Sequence, residues 1–187
     1  MLPRWKKKKR TLRINRLQSK NIGIVIAVCK NIKPGIPKIP QDKINLIKNF
    51  GVHNDYHAGK YIRHRYLARK NPNRLNNRQI LLVDQYIHTD IAAHGIKVKV
   101  GQLGENILLS GIGLMKMQIG TILQINQCRI QLTEIRHPCD QLNAIDPNLM
   151  DVVMSDKKNP ASYNAGILGI VLEGGPIAAG DDVAVLS

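Results

Sequence analysis

Short apolar runs separated by glycine-rich turns are the feature that most limits what this chain can fold into. Residues 122–133 alternate apolar and polar side chains on either side of Asn126-Gln127, a pattern typical of a β-hairpin. Two further apolar runs, 167–172 and 183–186, lie on either side of a Gly174-Gly175-Pro176 turn. Many short strands with few helices predict a mainly β fold, a closed or nearly closed β-barrel with one or a few short helices.

Two segments outside these runs also have a clear pattern. Ile22–Cys29 is rich in β-branched residues and is predicted to be a first strand that is buried on both faces. Asp84 is a suitable helix N-cap, and Gly95 can close the helix that follows it. Ile87 and Ile91 lie one helical turn apart, so this segment is the best helix prediction in the chain.

Basic residues are concentrated in the first part of the chain. Of 28 Lys and Arg residues among 187, 12 fall in residues 1–41, which contain no acid, and 9 fall in residues 42–78 against 2 acids. Residues 79–187 are net acidic, with 7 basic and 11 acidic residues. The formal charge of +15 is therefore concentrated towards the N-terminus, and we expect a basic arm over residues 1–21 ahead of the first strand and one domain over residues 22–187.

The basic arm also allows a different function, that of a nucleic-acid or ribosome-associated binding module held by phosphate contacts. The chain has one Trp and one Phe, and no strand combines aromatic and basic residues in the way that stacks bases. Specific readout of nucleic acid is therefore not predicted. If the arm binds nucleic acid, the affinity should fall steeply as the salt concentration rises, and deletion of residues 1–20 should abolish it.

The cysteines indicate the compartment. Those at positions 29, 128 and 139 form no CxxC pair, and their odd number leaves at least one thiol free. Free thiols are typical of a reducing cytoplasm, which is the predicted location. No stretch approaches the roughly 20 apolar residues that cross a membrane, so no membrane association is predicted.

Five segments of the chain stand out in a fixed order: Gly51–Gly59, Arg78–Leu82, Gly101–Leu114, Pro138–Leu142 and Val171–Val183. Together they resemble the MOSC family, the domain named after the C-terminus of molybdenum cofactor sulfurase. The similarity extends over about residues 22–187 and leaves only the basic arm outside. Two positions depart from the family pattern, because Asn54 replaces a common Gly and Ile170 replaces a common Arg.

The resemblance implies a compact MOSC-type β-barrel that acts on, or with, the molybdenum cofactor through the cysteine of a Pro-Cys motif. Family members are proposed to carry sulfur as a cysteine persulfide or to bind the molybdenum-pterin, and some reduce N-hydroxylated substrates. A cysteine desulfurase or an electron-donating reductase is the implied partner. Pyridoxal phosphate is not expected in this chain, because no lysine lies in a recognisable Schiff-base motif.

Cys139 is the candidate catalytic residue and the candidate molybdenum ligand. It follows Arg136-His137-Pro138, whose first two side chains can carry the positive charge that favours a thiolate. A thiolate attacks a sulfur donor and is also a soft ligand for a thiophilic metal. The other two cysteines lie within apolar strands and are predicted to be inert.

Asp55 and His57 are predicted to line the same pocket. They are two residues apart, so in extended backbone both point to one side and the carboxylate can fix the imidazole tautomer. His53 continues that face, although it fits equally well a turn that satisfies its own backbone. A zinc hydrolase using His53, His57 and Cys139 is a third interpretation, but the spacing matches no closed zinc motif.

Arg78, Glu105 and Asn106 complete the candidate cofactor-binding residues. Glu105 and Asn106 lie in a Gly-Gln-Leu-Gly-Glu-Asn turn and either bind a ligand or lock the loop. Arg78 ends a basic group in a long predicted loop over residues 50–78, and arginine binds phosphate through two parallel hydrogen bonds. The group consists of Lys60, Arg63, Arg65, Arg69, Arg74 and Arg78. His64, His88, His94 and His137 are expected to be ordinary surface or helix-end residues.

Overall fold

A computed structural model describes residues 22–186, so the predicted basic arm and Ser187 lie outside the described residues. Within this range the chain forms eleven strands and three short helices. The strands are β1 (Ile22–Lys30), β2 (Ile39–Gln41), β3 (Lys43–Ile47), β4 (Gly51–Val52), β5 (Ile80–Asp84), β6 (Ile107–Ser110), β7 (Ile122–Ile125), β8 (Cys128–Ile135), β9 (Ile167–Glu173), β10 (Gly175–Ala178) and β11 (Asp182–Leu186). The helices are α1 (Arg65–Lys70), α2 (Gln85–Ala93) and α3 (Leu149–Val153).

Seven strands close into a barrel, which confirms the predicted fold class. Their order is β11-β7-β8-β9-β5-β6-β1, and β11 pairs with β1 to complete the ring. All of these pairs are antiparallel except β5 with β6. A three-stranded sheet, β10-β3-β4, lies beside the barrel, and its buried Ile44, Leu46 and Ile177 belong to the same apolar cluster as the barrel interior.

Strand β5, Ile80–Asp84, is covered by apolar side chains on both of its faces. Ile80 and Leu82 point into the barrel interior, whereas Leu81 and Val83 belong to a second cluster outside it. Ile87 and Ile91 of α2 belong to that outer cluster. Successive side chains of a strand point to opposite faces, so a strand that is covered on both faces reads as a continuous apolar run.

The predicted helix and hairpin are both confirmed. The Asp84 side chain accepts a hydrogen bond from the Tyr86 amide at 3.0 Å, and Gly95 has the left-handed φ of +81° that ends the helix. Strands β7 and β8 pair directly around Asn126, whose φ is +52°. No helix among residues 22–186 is long and apolar enough to cross a membrane.

Two details of the strand predictions are wrong. The first half of β1 is not buried on both faces, since Ile22 is 64% exposed and Ile24 is 41% exposed. Gly175 and Pro176 do not form a turn, because they begin β10 and pair with Leu46 and Asn45 of β3. Only Gly174 lies between β9 and β10, so the chain passes from the barrel to the three-stranded sheet at this residue.

Candidate functional site

A cleft of about 350 Å³ lies where the 56–78 segment approaches the end of β8. Four of the predicted site residues line it together: His57, Arg78, Asn106 and Cys139. The other two, Asp55 and Glu105, are not among the lining residues, and each has a fully buried side chain. Their placement differs from the expected one because buried backbone and side-chain donors hold both carboxylates behind the cleft wall.

Asp55 is the centre of a buried hydrogen-bond network. Its Oδ2 atom accepts from Lys38 Nζ at 2.5 Å, and from the Asn31 amide and Asn106 Nδ2 at 3.1 Å each. Its Oδ1 atom accepts from the His57 amide at 3.0 Å and lies 3.7 Å from His57 Nδ1. Burial alone would raise the pKa of Asp55, but hydrogen bonding to His57 and the charge of Lys38 hold it well below its usual range.

Asn106 joins this network to the barrel. Its side-chain oxygen accepts from the Leu81 amide at 3.1 Å, and its Nδ2 donates to the Cys29 carbonyl as well as to Asp55. Glu105 is anchored next to it, because its Oε1 accepts from the Gly101 amide at 2.6 Å. Glu105 therefore locks the loop, as one of the two predicted roles required, while Asn106 lines the cleft with its side-chain amide already bonded within the protein.

Cys139 lies half-buried in the cleft wall, beside Arg136. Arg136 is only 8% exposed, and burial lowers the pKa of its guanidinium while the neighbouring Cys139 and Glu105 raise it. Its guanidinium reaches one backbone carbonyl, that of Ala165, at 3.5 Å. Arg136 remains cationic at neutral pH, so the Cys139 thiol has a buried positive charge beside it.

The other two cysteines have no comparable surroundings. Burial, with a contribution from Glu105, raises the pKa of Cys29 to about 12, although Lys38 opposes the shift. Burial and Asp181 raise the pKa of Cys128 to about 11. Both thiols are inaccessible, in agreement with the prediction that they are inert.

Brief treatment of the folded protein with iodoacetamide at pH 7 is expected to alkylate Cys139 at least tenfold faster than the other cysteines, because only Cys139 is accessible and has a cationic neighbour. Peptide mass spectrometry measures the labelling at each position. Arg136→Gln should slow the labelling of Cys139 several-fold. Equal labelling of all three cysteines in protein shown to be folded would contradict this assignment.

The cleft is strongly basic, and four of its basic side chains were not predicted from the sequence to line it. Lys38 and Arg136 line it from outside the predicted basic group, and so do His64 and His137. Burial and the charges of Arg78 and His57 lower the pKa of His64, as expected in a positive field. Of the predicted basic group, Lys60 and Arg74 do not line the cleft, and the members that do are Arg63, Arg65, Arg69 and Arg78.

The zinc interpretation gains no support from the arrangement of the side chains. His53 is exposed and is not among the residues that line the cleft. In the part of the chain that the structure describes, no three His, Cys, Asp or Glu side chains are grouped to hold a metal ion.

Comparison with known proteins identifies the family. The sequence model described as the MOSC domain matches residues 54–184, which is more than half of the chain. The chain belongs to the MOSC domain family. No curated protein sequence matches it.

Several solved structures share the MOSC fold of this chain. YuaD from Bacillus subtilis superposes with a TM-score of 0.71 at 20% identity, covering 88% of this chain and 95% of that one. YiiM from Geobacillus stearothermophilus gives 0.61 at 18% identity, covering 88% and 74% of the two chains. YiiM from Escherichia coli gives 0.58 at 17% identity, covering 88% and 70%. At these identities the likeness shows a common fold.

The two departures from the MOSC pattern are both accommodated. Asn54 has a φ of +62°, a left-handed conformation that Asn tolerates better than most residues, so the usual Gly is not required there. Ile170 is not among the cleft residues, whereas Leu168 on the same strand is. Ile170 itself therefore contributes nothing to the wall of this cleft.

Proposed function

We propose that this MOSC protein works with the molybdenum cofactor through Cys139, which either ligates molybdenum or carries sulfur as a persulfide. The observation that carries the proposal is the half-buried thiol beside Arg136 in a cleft lined by arginines. A volume of about 350 Å³ falls within the range of small-molecule sites. The family match supports the same cofactor, because MOSC domains are associated with molybdenum cofactor sulfurase.

The residues of the cleft fit an anionic, metal-containing pterin. Cys139 supplies the soft sulfur ligand that molybdenum prefers, and Arg136 provides a buried cation with no carboxylate within ion-pair distance among residues 22–186. Arg78 lines the same wall but is already paired, with Nε 3.0 Å from Glu134 Oε1. The bound cofactor would supply two-electron redox chemistry, while the protein holds and orients it.

Sulfur carriage needs no oxidant. The Cys139 thiolate attacks the outer sulfur of a persulfide on a cysteine desulfurase, so that an S–S bond forms at Cys139 and the S–S bond of the donor breaks. The donor cysteine leaves as a thiolate, and no net oxidation occurs. Arg136 supports this step because it stabilises the attacking thiolate.

Reduction of an N-hydroxylated substrate is the other reaction open to such a site. Conversion of N–OH to N–H consumes two electrons and two protons and releases water, and the electrons must come from a reductase partner. The buried Asp55 network fixes the backbone of His57 at the cleft wall, where its half-exposed imidazole can exchange a proton.

The two roles of Cys139 are separated by comparing wild-type protein with Cys139→Ala, both isolated from a host that makes the cofactor. Molybdenum is measured by elemental analysis, pterin by fluorescence after release, and sulfane sulfur by intact mass after incubation with a cysteine desulfurase and cysteine. Metal ligation predicts near-stoichiometric molybdenum that Cys139→Ala loses. Sulfur carriage predicts a mass increase of one sulfur atom that Cys139→Ala does not show.

Cys128→Ala is the matched control, because it removes a thiol from the barrel and leaves the cleft unchanged. It should retain the wild-type content of molybdenum or sulfur. The proposal fails when wild-type protein holds neither molybdenum, pterin nor sulfane sulfur, or when Cys139→Ala retains them all.

A further inference from the structure

The cleft carries a second group of cations, which are exposed and come from residues 63–69 and not from the 136–139 segment that holds Cys139. Arg63, Arg65 and Arg69 all line the cleft, and the last two belong to α1. The Arg63 guanidinium lies over the Tyr56 ring at 4.7 Å, which holds it in place at the cleft wall. The group Arg63, Arg65 and Arg69 is called the mouth cluster below.

The mouth cluster has no counter-charge in the described structure. No carboxylate between residues 22 and 186 lies within 4.0 Å of any of its three guanidinium groups, whereas Lys38 and Arg78 of the inner cleft are each paired with one. The N-terminal arm cannot supply one either, since residues 1–41 contain no acidic residue. The basic side chains of the mouth therefore point to a ligand anion.

A bound anion would stabilise helix α1. None of its six residues is buried, so packing contributes little to it. Arg65 and Arg69 lie one turn apart on the same face, and like charges at that spacing destabilise a helix. An anion between them would turn this repulsion into two charge-assisted contacts.

The number of cations exceeds what one phosphate can neutralise. A phosphate monoester carries about −1.5 to −2 charges at neutral pH. Arg136 and the mouth cluster together provide four guanidinium groups without a carboxylate partner among the described residues. The only carboxylate that lines the cleft in this part of the chain is Asp140. Arg136 is buried beside Cys139, whereas the three arginines of the mouth cluster are exposed, so the two sets are placed to meet different anions.

We infer that the mouth cluster is a second anion site, which holds the phosphate or pyrophosphate group of a small-molecule substrate while the Cys139 end is occupied. This inference rests on the proposed function for what occupies the Cys139 end of the cleft. The anion site at the mouth cluster does not depend on it. The substrates of this protein are accordingly phosphorylated compounds, and uncharged analogues with the same reactive group are poor ligands.

The test is a calorimetric titration of inorganic pyrophosphate into the protein with molybdenum and pterin bound, and into unloaded protein. Pyrophosphate should bind one-to-one in both, and R65Q/R69Q should weaken the affinity at least tenfold. K70Q/R74Q is the control, because it removes two charges from the same segment at positions outside the cleft, and it should change the affinity less than twofold. Circular dichroism checks that each variant is folded.

Three results would overturn the inference. One is loss of pyrophosphate binding when the cofactor is loaded, since the mouth cluster would then hold the phosphate of the cofactor itself. The second is equal weakening by both double variants, which would indicate general surface charge. The third is no binding to either form.

Failure of the proposed function is recognised separately, from the molybdenum, pterin and sulfane sulfur contents. In that case alkylated Cys139 replaces the loaded form in the titration. Pyrophosphate binding should survive alkylation within twofold, and its loss would overturn the inference.

Discussion

Replacing Lys38 with methionine is expected to lower the free energy of unfolding by about 3–5 kcal/mol. Lys38 is 4% exposed, and its ammonium contacts an Asp55 carboxylate that has no exposed surface at all. The substitution leaves Asp55 buried with three uncharged donors and no counter-charge. Removing one partner of a buried ion pair is far more destabilising than removing both.

Urea unfolding followed by circular dichroism measures this loss. The double variant Lys38→Met/Asp55→Asn is the control, because it removes both charges and should regain a large part of the stability that the single variant loses. A loss below about 1 kcal/mol for Lys38→Met would show that the neighbouring amides alone stabilise the carboxylate.

The Lys38–Asp55 ion pair also makes the free energy of unfolding depend on pH. The folded-state pKa of Asp55 is lowered, so the folded protein binds fewer protons here than the unfolded chain, whose carboxyl group has a pKa of about 3.9. The contribution of Asp55 is therefore complete above about pH 4 and is lost as the pH falls through the folded-state value. Asp55→Asn should flatten this part of the profile of stability against pH.

The sequence predicts the fold best where one local rule acts alone. The helix after Asp84 has an N-cap, two apolar residues at helical spacing and a closing Gly95, and all three features are present in the structure. The β10-β3-β4 sheet was not predicted, because its strands are two to five residues long and β3 pairs with β10 from the far end of the chain. Pairing between such distant segments leaves no local pattern.

The residues of the candidate site likewise fall into those that the sequence predicts and those that only the fold reveals. Motif residues identify Cys139, His57, Arg78 and Asn106, and the structure brings them to one cleft. Lys38 lies in a proline-rich segment without a motif, and only the fold shows that it meets Asp55. The two carboxylates predicted for the pocket lie behind it. Asp55 is held by neighbours distant in sequence, and Glu105 accepts from the nearby Gly101 amide.

Gly101→Ala is expected to be the most damaging small substitution near the site, with a loss of at least about 3 kcal/mol. Gly101 has a φ of +84°, and a Cβ atom there would overlap the Lys38 carbonyl oxygen, at 2.1 Å. The clash is with backbone that cannot move away easily, since the Lys38 amide donates to the Gly101 carbonyl at 2.9 Å.

Gly95→Ala is the matched control for Gly101→Ala. Its φ of +81° is almost the same, but a Cβ atom there meets nothing within 4 Å, so it should cost only the conformational strain of about 1–2 kcal/mol. Urea unfolding of both variants separates strain from clash, and equal losses would contradict the clash.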